Sequence, residues 1–82
     1  MIKWEEQPKQ LTAELLFNDF AEAFSFVQII ARLAEEADHH PELNWRYNKL
    51  RIGLSTQELG GIVSEKDRLL ASRINTAYAA FT

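Results

Sequence analysis

The pattern of apolar residues predicts an α+β domain of order β-β-α-β-β-α, a two-layer fold whose four-stranded antiparallel sheet carries two helices on one face. Two observations support this. Period-two alternation appears in two separate stretches, each followed by a long segment whose apolar residues recur at helical spacing. Prolines, a glycine pair and capping residues fall at the junctions between them.

Residues Ile2 to Glu6 are read as a short edge strand, and Gln7-Pro8-Lys9-Gln10 as a turn, because proline cannot donate to a central ladder. From Leu11 to Phe17, the residues Leu11, Ala13, Leu15 and Phe17 alternate with Thr12, Glu14 and Leu16, as in a half-buried strand. Asn18 and Asp19 are capping types, and Asp19 with Glu22 approximates a capping box. A helix then follows with Phe20, Phe24, Val27, Ala31 and Ala34 as its apolar stripe, widened by Ala23, Ile30 and Leu33. It stops near His39, because Pro41 disfavours a helical conformation at His40.

Leu43, Trp45 and Tyr47 occupy odd positions, whereas Leu50, Ile52 and Leu54 occupy even ones, so a turn lies between the two sets. A two-residue loop at Asn48-Lys49 sets Tyr47 opposite Leu50, Trp45 opposite Ile52 and Leu43 opposite Leu54. A three-residue loop, pairing Arg46 with Leu50, is the alternative and turns Trp45 to the other face. Gly60-Gly61 breaks the chain. Ser64 caps the last helix with Asp67 at its third position, and Leu70, Ile74, Ala77, Tyr78 and Phe81 form its stripe. One sheet face is left bare, and apolar residues there would predict dimerisation through it.

Length and composition narrow the function classes. The 82 residues suit a single domain over 1–82, and a chain this short buries only about 60% of its unfolded surface, so self-association would help it. With no cysteine, neither a disulfide framework nor thiolate chemistry is available. A net charge of −3, a pI near 5.3 and nine scattered basic residues argue against a direct nucleic-acid or anionic-membrane surface. No leader pattern and no long apolar run is present, so a cytoplasmic protein is expected.

The two histidines are adjacent, His39 and His40, flanked by Asp38 and Pro41 at the predicted helix end. Imidazoles there answer the negative end of the helix dipole, and they are also suited to proton transfer near neutrality. Metal binding fits poorly, since no cysteine or further histidine completes a ligand set. The polar loop Ser55-Thr56-Gln57-Glu58 lies at a strand end, where it is either solvated or folded toward the histidines. Gly60-Gly61 lacks the spacing of a phosphate loop and is read as a turn. Ser64 and Asp67 are read first as caps, and Phe20, Phe24 and Phe26 as core.

Taken together, Glu35-Glu36-Ala37-Asp38-His39-His40-Pro41, Tyr47-Asn48-Lys49, Leu54-Ser55-Thr56, Gly60-Gly61 and Asp67 resemble the signature of the pterin-4a-carbinolamine dehydratases. The resemblance runs from about Trp4 to Tyr78, and it implies the same β-β-α-β-β-α fold. It further implies loss of water from a 4a-hydroxytetrahydropterin to give a quinonoid dihydropterin, with neither metal nor cofactor. By this resemblance His39, His40 and the position of Gln57 are catalytic, His39 as an acid–base imidazole and His40 also helping to hold the pterin. Asp38, Pro41, Ser55, Thr56, Glu58 and Leu59 line the substrate, and Glu35 and Asp67 are supporting carboxylates. A homodimer or homotetramer is implied. Relatives of this fold also act as a dimerisation cofactor for a transcription factor and as RuBisCO assembly factors.

The chain departs from the family pattern where Thr-His is expected, because Gln57 follows Thr56 and an amide cannot shuttle protons near neutral pH. A positioned acid–base group contributes about 10²–10⁴ in rate, so a loss is expected unless Glu58, Asp67 or water substitutes. Leu43 stands where a tryptophan often follows Pro-Glu, and the N-terminal helix that many members carry does not precede the first strand. One extra residue near Val63 lengthens the loop ahead of Asp67.

Overall fold

The computed structural model describes residues 2–82. Strands β1 (Glu5–Glu6) and β2 (Leu11–Leu16) form one hairpin, α1 (Phe20–Ala37) crosses over, β3 (Glu42–Arg46) and β4 (Lys49–Leu54) form a second, and α2 (Glu65–Phe81) follows. The sheet order is β1-β2-β4-β3, antiparallel throughout, so β2 and β4 are central and β3 is an edge.

Alternation in the central strands decides which face meets the helices. Leu11, Ala13, Leu15, Leu50, Ile52 and Leu54 are buried, and they pack on Ala23, Phe26 and Ile30 of α1 and on Leu70, Ala71 and Ile74 of α2. β1 is shorter than the predicted Ile2–Glu6. The indole of Trp4 donates to Asn75 Oδ1 on α2 at 2.7 Å, which carries the preceding chain off the sheet edge and over the helices, where Ile2 is buried.

Asp19 caps α1 as expected, its carboxylate accepting from the Glu22 N–H at 2.8 Å. The return half of the box differs, because Glu22 accepts from the backbone and side chain of Asn18 rather than from Asp19. Phe20 and Phe24 are half exposed, which corrects their place in the core stripe; Phe26 is fully buried in their stead. Ala31 is also exposed. The buried line of α1 runs Ala23, Phe26, Ile30 and Ala34, while Phe20 and Phe24 stack on Trp45 of edge strand β3 at 4.5 and 5.7 Å.

The β3–β4 register matches neither predicted loop. Arg46 faces Lys49, Trp45 faces Leu50 and Leu43 faces Ile52, so the loop is Tyr47-Asn48. Its position is set from outside the hairpin: the Phe17 N–H donates to the Asn48 carbonyl at 2.9 Å, and the Asn48 amide donates to the Phe17 carbonyl at 3.0 Å. A shift of two residues preserves face, so Leu43 and Trp45 still point to the helices as the two-residue loop required. The bare face carries Thr12, Glu14, Asn44, Arg46, Lys49 and Arg51, with Leu16 as its exposed apolar residue, so the condition set for apolar dimerisation through it is not met. No helix among the described residues is long and apolar enough to cross a membrane.

Candidate active site

The end of α1 determines where the histidines go. Asp38 takes a left-handed conformation, φ 51°, and its N–H reaches the carbonyls of Ala34 and Glu35, while the His39 N–H also bonds to Ala34 O at 3.1 Å. This is a Schellman-type stop, tolerated by aspartate better than by most residues. It reverses the chain sharply, so His39 turns inward and His40 outward.

His39 is 7% exposed, and its Nε2 lies 2.6 Å from Asp67 Oδ1 on the first turn of α2. Asp67 is fully buried and has two further ties, the second of which also closes the capping box of α2. Its Oδ2 accepts from the Thr56 hydroxyl at 2.8 Å and from the Ser64 N–H at 2.8 Å. The Thr56 hydroxyl is itself 2.6 Å from Ser64 Oγ. Burial pushes the Asp67 carboxyl up, but the hydrogen bonds from His39, Ser64 and Thr56 outweigh it and hold the group below the ordinary aspartate value. Asp67 therefore stays an anion that can only accept, which makes His39 Nε2 the donor; when the ring carries a single proton, Nδ1 is its lone-pair edge.

His40 is 60% exposed, with Nε2 at 2.5 Å from Glu35 Oε2 one turn back on α1. The polar loop forms a 3-10 turn over Gln57–Leu59, stopped by Gly60 and Gly61 at φ 86° and 77°, conformations that favour glycine. The Gln57 amide is exposed and donates to Ser55 Oγ at 3.2 Å. The Glu58 carboxyl is held below its ordinary value by its own backbone N–H, then by Lys66 at 3.0 Å, with a smaller contribution from His39. A hollow of about 400 Å³ opens beside this network, lined by Thr56, Glu58, Leu59, Ser64, Glu65 and Lys66.

The structure thus joins His39 and Thr56 through the two oxygens of the Asp67 carboxylate. The added residue near Val63 leaves Asp67 against the histidine. Asp38 ends the helix, Pro41 is half buried at the start of the extended segment, and Leu59 is 56% exposed at the rim of the hollow. Neither histidine nor Gln57 lines that hollow directly; Thr56 in its wall connects to His39 through Asp67. Ser64 caps α2, as its spacing from Asp67 predicts, and its hydroxyl also supports Thr56. The Ser-x-x-Asp spacing signals the cap, but not that the same carboxylate turns toward a histidine 28 positions earlier. Among the described residues no group of three or more His, Cys, Asp or Glu side chains could hold a metal.

An open antiparallel sheet, two helices on one face and an imidazole–carboxylate pair at the helix junction define a two-layer α+β class of small proteins. The pattern describing the pterin 4 alpha carbinolamine dehydratases matches residues 2–77, and the chain belongs to that family. A provisionally named pterin-4-alpha-carbinolamine dehydratase of Thermomicrobium roseum is 45% identical over 71 residues, covering 87% of this chain and 75% of the relative. One from Prochlorococcus marinus strain MIT 9515, also provisionally named, is 46% identical over 77 residues, covering 92% and 77%. Among solved structures, a transcriptional coactivator/pterin dehydratase from Brucella melitensis superposes with a TM-score of 0.81 at 35% identity, covering 89% of this chain and 79% of that one. A pterin dehydratase-like RuBisCO assembly factor of the alpha-carboxysome gives 0.71 at 26% identity, covering 92% and 86%.

Proposed function

We propose that this chain dehydrates a 4a-hydroxytetrahydropterin with turnover lowered by Gln57. The observation that carries the reading is His39, held by its Nε2–H on a buried anionic Asp67 with its Nδ1 lone pair left over. In the reaction the C4a–O bond breaks, the hydroxyl takes a proton and leaves as water, and the N5–H electron pair forms the C4a=N5 double bond. His39 Nδ1 accepts the N5 proton, and the resulting imidazolium is stabilised by Asp67 across the ring. The departing hydroxyl needs an acid. Gln57 cannot supply one, and Glu58 and Asp67, both held below their ordinary values, stay deprotonated near neutrality. His40 or water fills that role, with Glu35 orienting the His40 ring.

The site roles assigned to Asp38, Pro41, Ser55, Thr56, Glu58 and Leu59, and a homodimeric or homotetrameric state, belong to this proposal. Steady-state turnover of a 4a-hydroxytetrahydropterin tests it: wild type is expected above the spontaneous rate, and Gln57→His well above wild type. No turnover in either protein ends the reading. A second reading, a non-catalytic binding or assembly role, draws support from Gln57 and from likeness to the RuBisCO assembly factor. It predicts a protein that co-purifies with a partner from its host and gains nothing from Gln57→His.

A further inference from the structure

The sheet face turned away from the helices carries its charges in rows. Strand register sets Glu5, Thr12, Gly53 and Glu42 across one row, Glu14, Arg51 and Asn44 across the next, and Leu16, Lys49 and Arg46 across the third. The third row places Lys49 directly opposite Arg46, and like charges opposite one another destabilise a sheet. Arg51 stands one row away and meets Glu42 only at 3.9 Å. Among the described residues neither Arg46 nor Lys49 forms an ion pair, whereas Lys66 and Arg68 on the helical side do. A hollow of about 420 Å³ lies over these positions, lined by Glu14, Leu16, Asn44, Arg46, Lys49 and Arg51. The fold gains nothing from this repulsion, but an anion seated in the hollow would relieve it.

We propose that this strip docks an extended acidic segment of a partner protein, its carboxylates meeting Arg46, Lys49 and Arg51 and an apolar side chain resting on Leu16. Arginine beside exposed apolar and aromatic residues is the composition that interfaces favour, and Tyr47 adjoins the strip, exposed, at the hairpin tip. Nucleic acid fits less well. Three cations fall short of the roughly 6–10 phosphate contacts of a typical site, and Glu14 and Glu42 border the strip. A second copy offers on this face only Glu5, Glu14 and Glu42, one on each of three strands, with Glu5 and Glu42 at opposite edges of the same row. The strip lies on the opposite face from His39, and about 17 Å of β4 separates Lys49 from Leu54, so docking leaves the histidines uncovered.

The test is fluorescence anisotropy of a dye-labelled peptide of alternating glutamate and leucine, titrated with the full chain, against the same peptide with lysine for glutamate. The acidic peptide is expected to bind and the basic one not, with affinity falling as salt rises. The double variant Arg46→Glu, Lys49→Glu should bind about tenfold or more weakly, and Arg73→Glu on α2 as wild type does. His39→Ala should also bind unchanged, which separates this surface from the dehydratase reading. Equal binding of both peptides, or undiminished binding by the double variant, overturns the proposal. So does tighter binding of a single-stranded oligonucleotide, or a wild-type oligomer that dissociates in the double variant while the peptide fails to bind.

Discussion

Asp67 serves two structures with one carboxylate: it closes the capping box of α2 and it holds the His39 ring. Removing its charge strands buried donors from His39, Thr56 and the Ser64 backbone, so Asp67→Asn should cost about 1–3 kcal/mol in chemical denaturation near neutrality. Its folded titration lies below the ordinary value of 3.8, so its contribution is present above that pH and is lost as pH falls through the folded value. The stability gap between wild type and Asp67→Asn should therefore shrink below about pH 3.8; a gap constant with pH would contradict the charge assignment. At Gln57 the expected change is in rate. Gln57→His should raise kcat by up to about 10²–10⁴ while leaving unfolding nearly unaltered, because the exposed amide bonds only to Ser55. Both positions stood out in the sequence, Asp67 as a cap and Gln57 as a departure, but the direct bond from Asp67 to His39 did not.

Among the elements, the second hairpin is offset by two residues from its predicted register, and Phe20 and Phe24 leave the predicted stripe of the first helix. The hairpin misled because Asn48 bonds to Phe17 of the neighbouring chain segment, a contact that no local turn preference contains. That docking holds Tyr47 at φ 53°, a conformation costly for a side chain with a Cβ. Tyr47→Gly should raise the melting temperature slightly, by the equivalent of about 0.5–1 kcal/mol, and a fall would show that the exposed ring is needed where it stands. In α1, Phe20 and Phe24 have the right spacing for a core, but β3 is an edge strand, so they lie over the rim against Trp45. Phe26→Ala should then cost about 3–5 kcal/mol, as for any buried phenylalanine, whereas Phe24→Ala should cost clearly less. Comparable losses would place Phe24 back in the core.

At the scale of the whole molecule the histidine junction and the cationic strip occupy opposite faces of one sheet, so two kinds of contact can coexist on 82 residues. Added zinc should leave the melting temperature unchanged, since the described residues offer no cluster able to bind it more tightly when folded. A rise of several degrees would point to ligands supplied between copies. Element order, the apolar faces of β2 and β4, both helix starts and the stop before His39 were readable from the chain alone. Each depends on neighbours within a few residues, through pleat, helical repeat or cap. Strand order, the register of the second hairpin, the burial of His39 and its bond to Asp67 belong to the tertiary structure. They join residues 28 or more positions apart, and such contacts are set only when the sheet and its helices close on a shared core.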